Sequence, residues 1–176
     1  MSTRSRIGIE IEKGKYKHIY CHSDGYLTYN GAILIDHYKD REKVEKLIEL
    51  GDISLLAEKV EPDPSRPHSF DWDSRQEDVV VAYGRDRGET GVDARVGTLE
   101  SMDDGCWIEY IYVYTLDNKW LYLDTYDKTH GLRDVATDVE KEWQKQGLKH
   151  RPKDFYGFMY DKLLEEEKKK QEREEV

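Results

Sequence analysis

Cys21, His22, His37 and His68 are the residues of this chain whose types and spacing could do chemistry. A thiolate, several imidazoles and the neighbouring Asp24 carboxylate form the kind of ligand set that suits a tetrahedral zinc ion. Five of the eight Cys and His residues lie in the first 68 positions, so the candidates crowd into one small N-terminal unit. Their spacing is neither a paired Cys-x-x-Cys nor a zinc-finger pattern, and two readings stand. In one, Cys21, His22, His37 and His68 hold a structural zinc, and a closed four-ligand site leaves no position for substrate. In the other, Cys21 packs as a small hydrophobe and the histidines lie on the surface of a strand. No residue is assigned a catalytic role, because no His-Glu-x-x-His or comparable signature is present. A zinc with an open position, acting with Asp24 or Glu89 as a base, is the enzymatic alternative.

The elements that must position these residues follow from hydrophobic periodicity. Ile7, Ile9 and Ile11 alternate with polar residues as in a half-buried strand, Lys13-Gly14-Lys15 turns the chain, and Tyr16 to Cys21 returns as a second strand. Parity puts Ile19 and Cys21 on one face and His18, Tyr20 and His22 on the other. Cys21 and His22 therefore share a metal only if Ser23-Asp24-Gly25 bends His22 back. Gly31 to Tyr38 is a short helix ending near His37, where the imidazole is either a metal ligand or a partner for terminal carbonyls. Asp40 caps a second helix through Val44, Leu47 and Ile48, closed by Gly51. Glu61 to Ser74 holds three of the four prolines. A loop this long is either functional or held down by something, and a metal at His68 would hold it.

Asp78 to Tyr83 reads as a strand whose apolar run implies a central position. The charged turn Gly84 to Glu89 either binds an anion through Arg85 and Arg87 or neutralises itself by salt bridges. Cys106 to Thr115 and Lys119 to Thr125 form a hairpin. Cys106, Ile108, Tyr110, Tyr112 and Tyr114 lie on one face, and Trp107, Glu109, Ile111 and Val113 on the other. Its tyrosines either stack bases or pack across strands, and the surrounding carboxylates favour packing. Asp134 to Gln146 is a helix, and a last helix starts at Asp154 and runs into the charged end. The expected fold is α+β, one domain with an antiparallel sheet covered by helices. Residues 1–130 form the core with its metal site. Residues 131–176 are C-terminal helices, with a charged, solvent-exposed end from residue 165.

Composition narrows the function classes. Of the 176 residues, 37% are hydrophobic and 38% charged, and thirteen Tyr and four Trp supply rings that keep one polar atom. A formal charge of -10 argues against nonspecific affinity for nucleic acid and for a basic partner, or for solubility alone. Two cysteines make no disulfide framework, and no apolar run reaches membrane-spanning length, so a cytoplasmic protein is expected.

Several segments carry a resemblance. Ser2 to Gly8, Ile19 to Tyr26, His37-Tyr38, Leu50 to Ser54, Pro67 to Asp71 and Ala82 to Glu89 resemble small proteins carried by phages and prophages of Gram-positive bacteria. Within that group the chain is most similar to the type II-A anti-CRISPR proteins, inhibitors of the RNA-guided DNA nuclease. The likeness covers the first half and extends weakly to the Tyr-rich hairpin. Where the family carries a Trp after the Cys-His pair this chain has Ser23, so no role of that ring carries over. The resemblance implies a partner, the type II effector nuclease of the bacterial host, bound on a basic nucleic-acid surface without chemistry. A sponge for a nucleotide immune signal, using Arg85, Arg87 and stacking tyrosines, is the alternative for a phage protein.

Overall fold

The computed structural model describes residues 2–105 and 107–174. Strands β1 (Arg4–Glu12) and β2 (Lys15–Cys21) form the expected N-terminal hairpin, paired antiparallel with Ile7 opposite Ile19. A π-helical turn at Leu27–Gly31 leads into α1 (Ala32–His37), and α2 (Arg41–Glu49) follows. Asp40 caps α2 by accepting from the Lys43 N–H at 2.9 Å, and Gly51 ends that segment at φ +77°, a conformation open to glycine. Then come β3 (Ile53–Leu55), β4 (Val81–Ala82), α3 (Tyr83–Arg87), β5 (Arg95–Gly97) and α4 (Leu99–Met102). The second hairpin is β6 (Ile108–Tyr114) and β7 (Trp120–Asp124), and the chain closes with β8 (Arg133–Asp134), α5 (Val135–Lys145) and α6 (Asp161–Glu174).

The fold is a single α+β domain, but its sheet is mixed rather than antiparallel. Strand order is β4-β3-β2-β1-β6-β7-β8, with β5 also pairing β2. β1 runs parallel to β6 and β2 parallel to β3, because in each case the connecting chain crosses over before returning to the sheet. The outer edge of β2 is shared: β5 takes Tyr16 to His18 and β3 takes Cys21. Asp52 braces this junction, accepting from the Tyr20 N–H at 2.9 Å and from both ends of the Arg95 guanidinium at 2.9 and 3.0 Å.

One face of the sheet buries Ile7, Ile9, Ile19, Cys21, Tyr112, Tyr114, Trp120 and Tyr122 under α1, α2 and α5. The tyrosine ladder is packing. Tyr112 donates to the Gly25 carbonyl at 2.7 Å, Tyr114 to that of Lys39 at 3.2 Å, and the Trp120 indole to that of Tyr38 at 2.9 Å. Each ring thus buries apolar area while its polar atom stays satisfied. The opposite face holds a smaller cluster of Tyr16, Met102, Ile108, Ile111, Val113 and Leu123.

Three expectations are corrected. Ile108 lies with Ile111 and Val113, not with the tyrosines, because a bulge shifts the register between Ile108 and Tyr110 beside Trp107 at φ +61°. Cys106, placed with the tyrosines by parity, lies outside the described residues. Val79 to Ala82 is not a central strand but ends in a two-residue edge strand. Its valines are covered by the crossing chain at Lys59, whose carbonyl accepts from Val80 N–H at 2.9 Å. The last helix begins at Asp161 rather than Asp154, because Asp154 and Gly157 take φ +54° and +125° and Phe155 and Tyr156 pack onto the core as an irregular strap. Residues 131–174 share the main core through Val135, Val139 and Trp143.

Candidate functional site

The four metal candidates lie apart, each with a partner of its own. Cys21 is fully buried at the end of β2. Its thiol donates to the Ser23 carbonyl at 3.5 Å and accepts from Asn30 Nδ2 at 3.4 Å, and burial pushes its pKa up to about 11. Without a metal beside it, the thiol is neutral at pH 7. His22 turns to the other side of the strand, its Nδ1 2.7 Å from the Tyr20 hydroxyl. His37 ends α1 and donates from Nε2 to the Tyr156 hydroxyl at 2.7 Å, which in turn donates to Asp36 at 2.9 Å. His68 accepts the Gln76 N–H on Nδ1 at 2.9 Å, which leaves Nε2 to donate to Asp86 at 3.3 Å. Its side chain is 4% exposed, and this contact helps hold the proline-rich loop down.

Among the described residues no group of three or more His, Cys, Asp or Glu side chains could hold a metal ion. A zinc bound by Cys21, His22, His37 and His68 would require all four to exchange their present partners. If the four keep these partners, chelator treatment shifts the melting temperature by less than about 2 °C. About one zinc per chain in protein purified without chelator, together with a large loss of stability on chelation, would instead support the zinc site.

The same segments do meet elsewhere. His22 N–H donates to the Ile53 carbonyl at 3.1 Å and Ser23 N–H to that of Ser54 at 2.9 Å. Tyr83 N–H reaches the Asp52 carbonyl at 3.2 Å, and the Phe70 and Tyr83 rings stand 5.4 Å apart. Thus Ile19 to Tyr26, Leu50 to Ser54, Pro67 to Asp71 and Ala82 to Glu89 converge at one end of the sheet. They surround a depression of about 320 Å³ whose lining includes Asp24, Ser54, Phe70, Asp71, Trp72 and Arg75.

Charge and aromatic surface dominate this site. Trp72 is 74% exposed, and the Arg75 guanidinium lies 4.2 Å from its ring centre. Arg87 sits 4.2 Å over Phe70 and pairs with Glu89 at 2.7 Å. Arg85 donates to the Val60 and Val80 carbonyls at 2.6 Å each and pairs with Asp86 at 2.9 Å. The turn is therefore self-neutralised, and Arg85 is committed to holding α3 and the loop. Burial would raise the Asp86 pKa, but hydrogen bonds from Arg85 and the Ala82 N–H outweigh it and hold the carboxylate ionised.

Asp24 differs from these paired acids. It is half-buried at φ +52°, forms no hydrogen bond or ion pair among the described residues, and burial raises its pKa. A carboxylate held out of water without a cation gains when one is brought to it. Sequence reasoning passed over Trp72, which stands in no periodic element. Its signal was a large ring between Asp71 and Asp73 in a loop. No protein family, curated protein or solved structure matches the chain.

Proposed function

We propose that this protein acts by occupation, as a phage-borne inhibitor that binds the type II RNA-guided nuclease of the bacterial host in the cytoplasm and blocks target DNA loading. The observation that carries this reading is the Trp72 ledge: an exposed indole beside the cation-free, half-buried Asp24 and the exposed Asp71 and Asp73, on a chain of net charge -10. Such a nuclease holds its nucleic acid in a strongly positive channel built from Lys and Arg. An acidic partner is steered to that channel by long-range attraction, and a large ring in a charged rim is the usual anchor of such contacts. The resemblance of the converging segments to anti-CRISPR proteins supports the same reading. Among the described residues no helix is long and apolar enough to cross a membrane.

The other exposed indole has different surroundings. Trp107 is 75% exposed, but Asp104 pairs with the buried Arg6 at 2.6 Å and Asp103 with Lys128. Those acids serve the fold, so reversing them would test stability rather than binding.

The test is competition on the nuclease–guide complex with labelled target DNA. Saturating protein should abolish DNA loading, and the inhibition should weaken as salt rises. Trp72→Ala and Asp24→Asn should each weaken inhibition by about tenfold to a hundredfold, about 1.4–2.8 kcal/mol. Asn tolerates the left-handed backbone of position 24, so that variant changes charge alone. DNA loading that is unaffected by saturating protein would rule the inhibitor out.

A further inference from the structure

We propose that a second cleft, between α5 and the tyrosine face of β6 and β7, receives an arginine side chain of a partner protein. The cleft has a volume of about 680 Å³ and lies outside the Trp72 site. One wall is the stacked pair Tyr26 and Phe158, with ring centres 4.3 Å apart and planes 19° from parallel, and Phe158 is largely exposed. On the sheet side stands the half-buried Tyr110, with Asp124 directly across the strand pair. Glu142 of α5 lines the same space.

The cations around this cleft are already matched by acids of the chain. Arg133 lies 3.8 Å from Asp127 and 4.0 Å from Asp138, Lys141 is 4.0 Å from Asp138, and Lys145 is 3.7 Å from Glu142, an exposed pair weak enough for Glu142 to turn to an incoming guanidinium. Asp124 accepts the Tyr126 N–H at 2.9 Å and pairs with no cation among the described residues. Burial, together with the negative charges of Asp124, Glu109 and Glu142, raises the Tyr110 pKa, so its ring stays a neutral phenol in a negative field. An electron-rich ring lining one cleft with Asp124 and Glu142 is complementary to a planar cation that can stack and donate at once. A guanidinium meets that geometry. An ammonium is a more strongly hydrated point charge without the flat face, and a phosphate would meet like charge at Asp124 and Glu142.

The inference rests on the reading of the protein as a binder of basic surfaces only for the partner's identity, and its test is separate. The full chain, labelled with ¹⁵N, is titrated with L-argininamide, L-lysinamide and ATP and followed by NMR. Argininamide should give saturable shifts clustered at Tyr26, Tyr110, Asp124 and Glu142, and should bind at least about threefold tighter than lysinamide. Asp124→Asn and Glu142→Gln should each weaken it by about tenfold, whereas Tyr110→Phe, which keeps the ring, should stay within about twofold. Non-saturating shifts spread over all carboxylates, equal binding of both amides, or saturable ATP binding at these residues would overturn the proposal. Any of these would leave the nuclease competition standing, and a failed competition would leave the cleft standing.

Discussion

Acidification from pH 7 to pH 4 is expected to remove about 3 kcal/mol of folding stability through His18 alone. The imidazole is 4% exposed and its Nδ1 has no hydrogen-bond partner. Burial, then the nearby charges of Arg6 and Arg95, lowers its pKa to about 4, against the opposing pull of Asp104 and Asp52. A base with a depressed folded pKa resists protonation in the native state while the unfolded chain takes up its proton near pH 6.5. The stabilisation is therefore complete above about pH 6.5, declines as pH falls towards 4, and changes no further once both states are protonated. Paired carboxylates such as Asp36 and Asp86, also with lowered pKa, lose their partners at the acid end, so the total curve contains more than His18. His18→Leu isolates it. Urea unfolding from pH 4 to 7 should give a shallower curve for the variant, and parallel curves would show that His18 is not the titrating group.

Ending the chain after Gly147 is expected to cost at least about 5 kcal/mol, comparable to the whole stability of a small domain, and so to prevent folding. Trp143 is fully buried, with Phe155 edge-on at 6.0 Å; Leu148 belongs to the same core, and Tyr156, Met159 and Leu164 pack against it. The same cut strips Asp36 of Arg151 and of the Tyr156 hydroxyl. Ending the chain after Leu164 should cost only about 1–2 kcal/mol. The charged end is not wholly free, because buried Gln171 accepts from the Lys149 and His150 N–H groups at 2.9 and 3.3 Å and donates to the His150 carbonyl at 3.0 Å. Thermal unfolding of the two truncations decides the matter, and equal losses would show that α6 carries as much of the fold as the strap before it.

Much of the secondary structure was legible because its causes are local. The alternation at Ile7 and Ile9, the Asp40 cap with its closing Gly51, the Tyr-rich hairpin and the Asp134-capped helix each follow from side chains within a few positions. Errors arose where neighbours along the chain were not neighbours in space. The valines at 79–81 are buried by Lys59 and the loop around it, and a hydrophobic run cannot distinguish that cover from a flanking strand. The bulge at Glu109 reversed the face of Ile108 without any glycine to announce it. The strap at 154–160 has apolar residues at helical spacing, but its positive-φ backbone at Asp154 and Gly157 belongs to the docking of Phe155 and Tyr156.

The candidate site divides in the same way. Residue types alone determined that the chain is acidic, rich in tyrosine, and built as an α+β unit on two hairpins, because charge and periodicity need no knowledge of distant partners. They also picked out the segments around Cys21, Asp52, His68 and Asp86. Only the tertiary structure decided what those segments do together. Strand parity and the parallel pairing of β2 with β3 bury the Cys21 thiol beside Asn30, turn His22 away, and give His37 and His68 to Tyr156 and Asp86. A metal needs ligands converging within about 2–2.3 Å of one point, and such convergence is a property of packing rather than of spacing. Packing sets Asp24 and Trp72 in the lining of one depression, where the half-buried carboxylate forms no ion pair among the described residues.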